Sequence, residues 1–180
     1  MREIFLPTLR AMKAEGREFR GCLYFGLMLT REGPRVIEYN CRFGDPETQV
    51  VLPLLEGDLL EIMQAVTRGE LGRVQVRFSD QAACCVVMAS QGYPRSSDKG
   101  RGITLPEAVR PFVYVAGAAG KDGQLVTAGG RVLGVTAVAP TLQEAVDLAY
   151  RRVDQVHFEG GFCRRDIGRR ALDALQSPRI

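Results

Sequence analysis

The chain has 180 residues, 46% apolar and 25% charged, which suits a globular protein of one medium domain or two small ones. A net charge of +3 is too small to argue for a nucleic-acid partner, and no apolar run approaches a membrane span, so neither nucleic acid nor membrane is expected as a partner. Five cysteines (Cys22, Cys41, Cys84, Cys85 and Cys163) are odd in number and lack C-x-x-C spacing. They read as reduced, mostly buried thiols, and the absence of a basic-then-apolar leader leads to an expected cytoplasmic location. The lone His157 follows a helical pattern and reads as structural, so no acid–base chemistry is built on it.

Residues 2–15 carry Ile4, Phe5, Leu9 and Met12 at helical spacing, and Gly16 closes that helix. Residues 21–30 read as a strand apolar on both faces around its middle, residues 31–34 as a turn and 35–43 as the antiparallel partner. A helix is expected over 46–55 and, after Gly57, another over 58–68. Beyond about Val74 the text becomes strand-like, with strands over 82–89, 112–116, 124–127 and 131–138. Residues 95–101, rich in Ser, Lys, Arg and Gly, read as a mobile loop. Thr104–Glu107 and Thr141–Glu144 have capping-box spacing. The first predicts a single turn and the second a helix to about Val156, with Leu142, Ala145, Val146, Ala149 and Val153 as its buried stripe. Gly160-Gly161 ends that helix, and a short Phe-Cys strand and a basic helix finish the chain.

The most concentrated chemistry lies in EYNCRFGDPE, residues 38–47. On a strand, residues two apart share a face, so Glu38, Asn40 and Arg42 are expected to project together, with Ile37, Tyr39 and Cys41 turned toward a core. A carboxylate, an amide oxygen and a guanidinium on one side suit a hard cation carrying phosphate. Asp45-Pro46-Glu47 reads as a helix start, with Asp45 as N-cap and Pro46 in the first turn. A plain surface strand followed by a capped helix fits the same residues.

The string EYNCRFGDPETQ resembles the signature of the glycinamide ribonucleotide synthetases (phosphoribosylamine–glycine ligases), ATP-grasp enzymes of purine biosynthesis. YFGLML, VVMASQGYP, TAGGRVLGVTA and FCRRDIG extend the likeness over most of the chain. The resemblance implies an α+β chain: residues 1–74 as the C-terminal part of an ATP-grasp domain, then residues 75–180 as a small, mainly antiparallel β domain with one long helix. It also implies a ligase that activates glycine as an acyl phosphate at the expense of ATP, for attack by 5-phosphoribosylamine. Glu38 and Asn40 would hold Mg²⁺ or Mn²⁺, and Arg42 would act on phosphate oxygens as the catalytic residue. Asp45 would bind a substrate amine, and Gly129, Gly130 and Arg131 the ribose phosphate, with exposed backbone N–H groups beside Arg131 serving the anion.

The strand over 24–29 contains no acid, where many ATP-grasp enzymes, biotin carboxylases among them, place a second metal-binding carboxylate. The chain also covers less than half of the family's enzyme, and Met1 falls where the family has interior sequence. It therefore reads as an expressed fragment, inactive alone and prone to self-association through exposed apolar surface, of a monomeric parent. Two other readings stay open: part of another ATP-grasp carboxylate–amine ligase, and a non-catalytic interaction module.

Overall fold

The computed structural model describes residues 2–176. They divide into two compact units, one formed by residues 2–48 with 55–78 and the other by residues 49–54 with 79–176.

The first unit opens with α1 (Phe5–Ala14), followed by the antiparallel hairpin β1 (Tyr24–Thr30) and β2 (Gly33–Asn40). Phe5 on α1 stacks on Phe25 of β1 with ring centroids 4.1 Å apart, and Tyr39 of β2 meets Phe25 edge-on at 5.3 Å. This cluster of three rings holds the helix to the hairpin. The expected core beneath Ile37, Tyr39 and Cys41 is not there: Ile37 is 62% exposed, Tyr39 half-exposed and Cys41 exposed. Around its middle β1 is partly buried on both faces, over Tyr24–Leu27, and it becomes exposed from Met28 on, with Leu29 82% exposed. A hairpin has only two strands, and one ten-residue helix covers too little of it to bury the turn end.

The expected helix over 46–55 is broken into α2 (Thr48–Val51), a 3₁₀ turn at Leu52–Leu54 and the short strand β3 (Leu55–Glu56). Pro53 explains the break: it has no N–H to offer the Gln49 carbonyl four residues back. The Thr136 hydroxyl donates to that carbonyl instead, at 3.1 Å. Next, α3 (Leu59–Arg68) begins at Asp58, whose carboxylate accepts from the N–H groups of Leu60 and Glu61. It ends at Gly69, which adopts the left-handed conformation with φ 72°. The strand β4 (Arg77–Phe78) pairs with β3.

The second unit is built on β5 (Ala82–Ala89), β6 (Val113–Val115), β9 (Arg131–Ala139) and β10 (Phe162–Cys163), an antiparallel sheet in the order β10-β5-β9-β6. Between β6 and β9, β7 (Ala118–Lys121) and β8 (Gln124–Thr127) make a separate hairpin. Its turn residues, Asp122 (φ 50°) and Gly123 (φ 78°), take the paired positive φ of a tight hairpin. On the sheet lies α4 (Leu142–Val153), opened by the Thr141–Glu144 capping box, and its Ala145, Val146, Ala149 and Val153 are buried against Val86, Val132, Leu133 and Val135. Leu142 is only partly buried. The last helix is α5 (Arg169–Gln176).

Three expectations change here. The α4 helix stops at Val153, so His157 lies beyond it, exposed, and exchanges backbone hydrogen bonds with Thr104. That bridge occupies the Thr104 backbone, and the following turn is closed by the Pro106 carbonyl, which accepts from Val109 and Arg110. The 95–101 loop is tied down rather than loose. Arg101 bonds Asp98 at 2.8 Å and Glu159 at 2.7 Å, while the buried Thr127 hydroxyl donates to the Asp98 carbonyl and accepts from the Arg101 N–H. Among the described residues no helix is long and apolar enough to cross a membrane.

Candidate functional site

The hairpin register sets the geometry around the 38–47 string. Glu38 lies opposite Gly26, and Asn40 opposite Tyr24. Residues directly opposite in an antiparallel pair share a face, so Tyr24, Gly26, Glu38 and Asn40 form one side of the hairpin. The expected shared face of Glu38 and Asn40 is seen directly, because the Asn40 amide Nδ2 donates to Glu38 Oε1 at 3.1 Å. Gly26 makes room for this: a Cβ there would sit 2.9 Å from Glu38 Cγ.

The donor set fits a hard divalent cation, with a carboxylate and an amide oxygen side by side on an accessible surface. Rotating the Asn40 amide about its last torsion turns its oxygen to the side where its nitrogen now meets Glu38. Among the described residues no group of three or more His, Cys, Asp or Glu side chains converges as a metal site. Any cation here would therefore complete its shell with water and substrate oxygens.

Arg42 departs from its expected place. The strand stops at Asn40, residues 41–42 form a bend, and alternation no longer governs the side chain. Arg42 Nη1 donates to the Phe43 carbonyl at 2.9 Å. Asp45 is exposed in the turn that follows, and the helix opens at Thr48 rather than at Pro46. The Gly44 carbonyl accepts from both the N–H and the hydroxyl of Thr48.

Tyr24 was not singled out from the sequence, and Glu47 was read as part of a helix start. Burial of Tyr24, followed by the Glu47 and Glu38 charges, pushes its phenol above the ordinary range. Glu47 in turn folds back over Gly44, where a Cβ would collide with its carboxylate. Neither has a sequence signal: a bulge between Gly26 and Leu27 shifts the hairpin register by one, so counting from the turn would set Tyr24 opposite Tyr39 rather than Asn40.

In the second unit, Gly129 and Gly130 form a bend immediately before Arg131, the first residue of β9. The Gly129 N–H is committed to the Gly117 carbonyl at 2.9 Å, so it is not an open donor for an anion. A Cβ at Gly117 would lie 2.8 Å from Gly129 Cα and closer still to the Arg131 carbonyl, one at Gly129 would lie 3.1 Å from Gly117 Cα, and the ring of Tyr93 covers the position of a Gly130 Cβ. Ser90, 1% exposed, locks the segment by donating its hydroxyl to the Gly129 carbonyl at 2.9 Å. The glycines thus serve close packing, and Arg131 is the exposed polar group of the three. Cys84 is buried and its thiol is pushed up to about 11 by desolvation and by Cys85, as a core strand requires. Arg164 and Arg165 are exposed and paired with Asp166 and Asp154.

Residues 1–48 match the model of the phosphoribosylglycinamide synthetase ATP-grasp (A) domain, and residues 83–170 that of the C domain. The chain belongs to the phosphoribosylglycinamide synthetase family. It is 48% identical over 166 residues to the phosphoribosylamine–glycine ligase of Caldanaerobacter subterraneus, which covers 92% of this chain and 40% of that protein. The crystal structure of phosphoribosylamine–glycine ligase from Thermotoga maritima superposes with a TM-score of 0.83 at 43% identity, over 92% of this chain and 41% of the other. The chain thus spans about two fifths of the length of these synthetase relatives. The biotin carboxylase domain of a 2-oxoglutarate carboxylase from Hydrogenobacter thermophilus, solved with MgADP, shares the fold at TM-score 0.58 and 16% identity. The architecture is accordingly α+β, the end of an ATP-grasp fold followed by the antiparallel synthetase C domain. The Glu38–Asn40 pair and the Gly44–Thr48 turn lie in the matched ATP-grasp segment, and Gly129–Arg131 in the matched C domain.

Proposed function

We propose that this chain carries the cation-binding strand and C domain of an ATP-dependent carboxylate–amine ligase. That ligase joins glycine to 5-phosphoribosylamine through a glycyl phosphate, giving glycinamide ribonucleotide, ADP and phosphate in de novo purine biosynthesis. The observation that carries this reading is the Glu38–Asn40 pair, two oxygen-bearing side chains in contact at the end of β2, within a chain nearly half identical to phosphoribosylamine–glycine ligases. Residues 1–74 are assigned to the ATP-grasp domain and 75–180 to the C domain.

In this reading Glu38 and Asn40 hold the Mg²⁺ or Mn²⁺ that accompanies ATP. When bound, that cation supplies charge neutralisation on the phosphates. Arg42, exposed at the bend, exchanges the Phe43 carbonyl for phosphate oxygens and stabilises charge during transfer. Asp45 takes a substrate amine. Arg131 takes the ribose phosphate, and Gly129 and Gly130 shape the backbone beside it. No protein nucleophile is needed, because positioning and electrostatics carry such a reaction. A cytoplasmic setting belongs to the same proposal, supported by the absence of disulfides among the described cysteines.

The test is Mn²⁺ binding to the 180-residue chain, followed by water-proton relaxation, in wild type and Glu38→Gln. Binding that disappears in the variant supports the reading, and equal binding in both refutes it. By itself the chain is expected to show no ATP- and glycine-dependent turnover in a coupled assay, since it spans about two fifths of its synthetase relatives. Turnover would contradict the fragment reading.

A further inference from the structure

The two edges of the β1–β2 hairpin are built differently. In β2, Pro34 has no N–H to give, Arg35 is charged and paired with Glu32, and Ile37 is inserted between Val36 and Glu38 as a bulge. Proline, charge and bulges are the devices that keep a free strand edge from pairing further. β1 has none of them: its seven residues, YFGLMLT, carry no charge and no proline and run without an inserted residue. Because Pro34 cannot donate, Leu29 and Pro34 form a non-hydrogen-bonded pair, in which both backbones turn their polar groups outward. The Leu29 N–H and, by alternation, the Leu27 N–H therefore face away from β2. Among the described residues no third strand joins this sheet, and no backbone hydrogen bond leaves this edge of β1.

One face of the hairpin is apolar. Phe25, Leu27 and Leu29 share it, with Tyr39, Val36 and Pro34 opposite them on β2. Phe5 of α1 stacks on the Phe25 end, while Leu29 at the turn end is 82% exposed. Ala65 is the one buried apolar residue of the first unit among the described residues, so this unit presents apolar surface without a core of its own. A two-stranded hairpin is marginal in water, and a third strand is what ordinarily completes it. The relatives supply the source of that strand. This chain spans about two fifths of their length, which leaves about three fifths outside it, and its residues 1–48 match the ATP-grasp domain. We propose that the outer edge of β1 is the joint at which this remaining part of a synthetase adds a β-strand, apolar at alternate positions so that it continues the Leu27–Leu29 face. Backbone pairing along the open edge supplies the affinity, and the apolar alternation fixes the register. A second copy of the chain, pairing β1 with β1 about a two-fold axis, is the competing occupant.

The probe is the part of the Caldanaerobacter subterraneus ligase outside the segment that matches this chain, co-expressed with the 180-residue chain as a separate polypeptide. Co-purification is expected to yield a complex with one copy of each, sized by light scattering. In hydrogen exchange of the chain alone, the outward Leu27 and Leu29 amides should exchange faster than that of Met28, which faces β2. In the complex those two amides should slow about tenfold or more. Leu29→Lys changes a side chain that is already 82% exposed, so the chain should fold normally, and the complex recovered should drop about tenfold or more. Arg35→Ala, on the blunted strand, should leave recovery within about twofold. No complex, a complex insensitive to Leu29→Lys, or a loss as large in Arg35→Ala would each overturn the joint. So would Leu27 and Leu29 amides that exchange equally fast with and without the probe. A chain that is dimeric by itself, with both amides already protected, would give the edge to a second copy and overturn it too. Neither ATP, glycine nor a cation enters these readings. Mn²⁺ binding that ignores Glu38→Gln would therefore defeat the ligase reading and leave the joint as found.

Discussion

The substitution Gly26→Ala separates the proposed Glu38–Asn40 cation seat from the stability of the fold. A Cβ at residue 26 would lie 2.9 Å from Glu38 Cγ, whereas comfortable carbon–carbon separation is about 3.5–4.0 Å. Glu38 must therefore withdraw by about 0.6–1 Å or leave its rotamer, at a cost of roughly 0.5–1.5 kcal/mol. Gly26 is not among the residues with positive φ, so alanine fits its backbone. Narrowing the unfolded ensemble returns about 0.4–1 kcal/mol. The two effects nearly cancel, and the midpoint of urea unfolding should move little. Function should not be spared, because a displacement of that size exceeds the roughly 0.5 Å within which binding groups must be held. The expected loss of Mn²⁺ affinity is about 10–100-fold, the range found when the support around a metal ligand is disturbed. Water-proton relaxation measures the affinity, and Glu38→Gln marks the limit of complete loss. A Gly26→Ala chain that is normally folded and binds Mn²⁺ within about twofold of wild type would refute the steric reasoning, since such a difference is below 0.5 kcal/mol.

Leu133, fully buried in β9, should cost about 2–5 kcal/mol when cut to alanine, read from denaturant unfolding of the second unit. Thr141→Ala removes the N-cap of α4 and its exchange with Glu144, and about 0.5–2 kcal/mol should be lost by the same assay. Because burial raises the Cys84 thiol from 9.0 to about 11, its neutral form is favoured by folding. That contribution is complete below pH 9 and is lost as pH rises toward 11, so thermal stability should decline across this window, and less steeply in Cys84→Ala. A slope unchanged by the substitution would show that Cys84 is not a source of the decline. At neutral pH the exposed Cys41 should react with a thiol reagent long before Cys84, followed by mass spectrometry of modified peptides.

The local signals of the sequence carried far. Asp58 and Gly69 delimit α3, Thr141 and Glu144 open α4, and Asp122-Gly123 turns the β7–β8 hairpin, each as its residue type requires. The Glu38–Asn40 face belongs to the same class, since alternation along one strand is a property of a few consecutive residues. Where the chain leaves regular structure, that logic ends. Alternation could not place Arg42 beyond the last residue of β2, and the helical pattern over 46–55 could not reveal the break at Pro53. Composition made residues 95–101 look mobile, but partners up to 58 positions away, Thr127 and Glu159, hold them.

What the amino-acid order determined by itself, then, was the set of helices, turns and strand faces, because capping, φ preference and pleat act over one to four residues. Burial and mutual approach were decided only by the tertiary structure. Whether Ile37 finds a cover, whether Gly26 must lack a side chain opposite Glu38, and whether Tyr93 closes over Gly130 all depend on atoms brought together from separate stretches of chain. Excluded volume and hydrogen bonding act on distance in space, and no periodicity along the sequence encodes that distance.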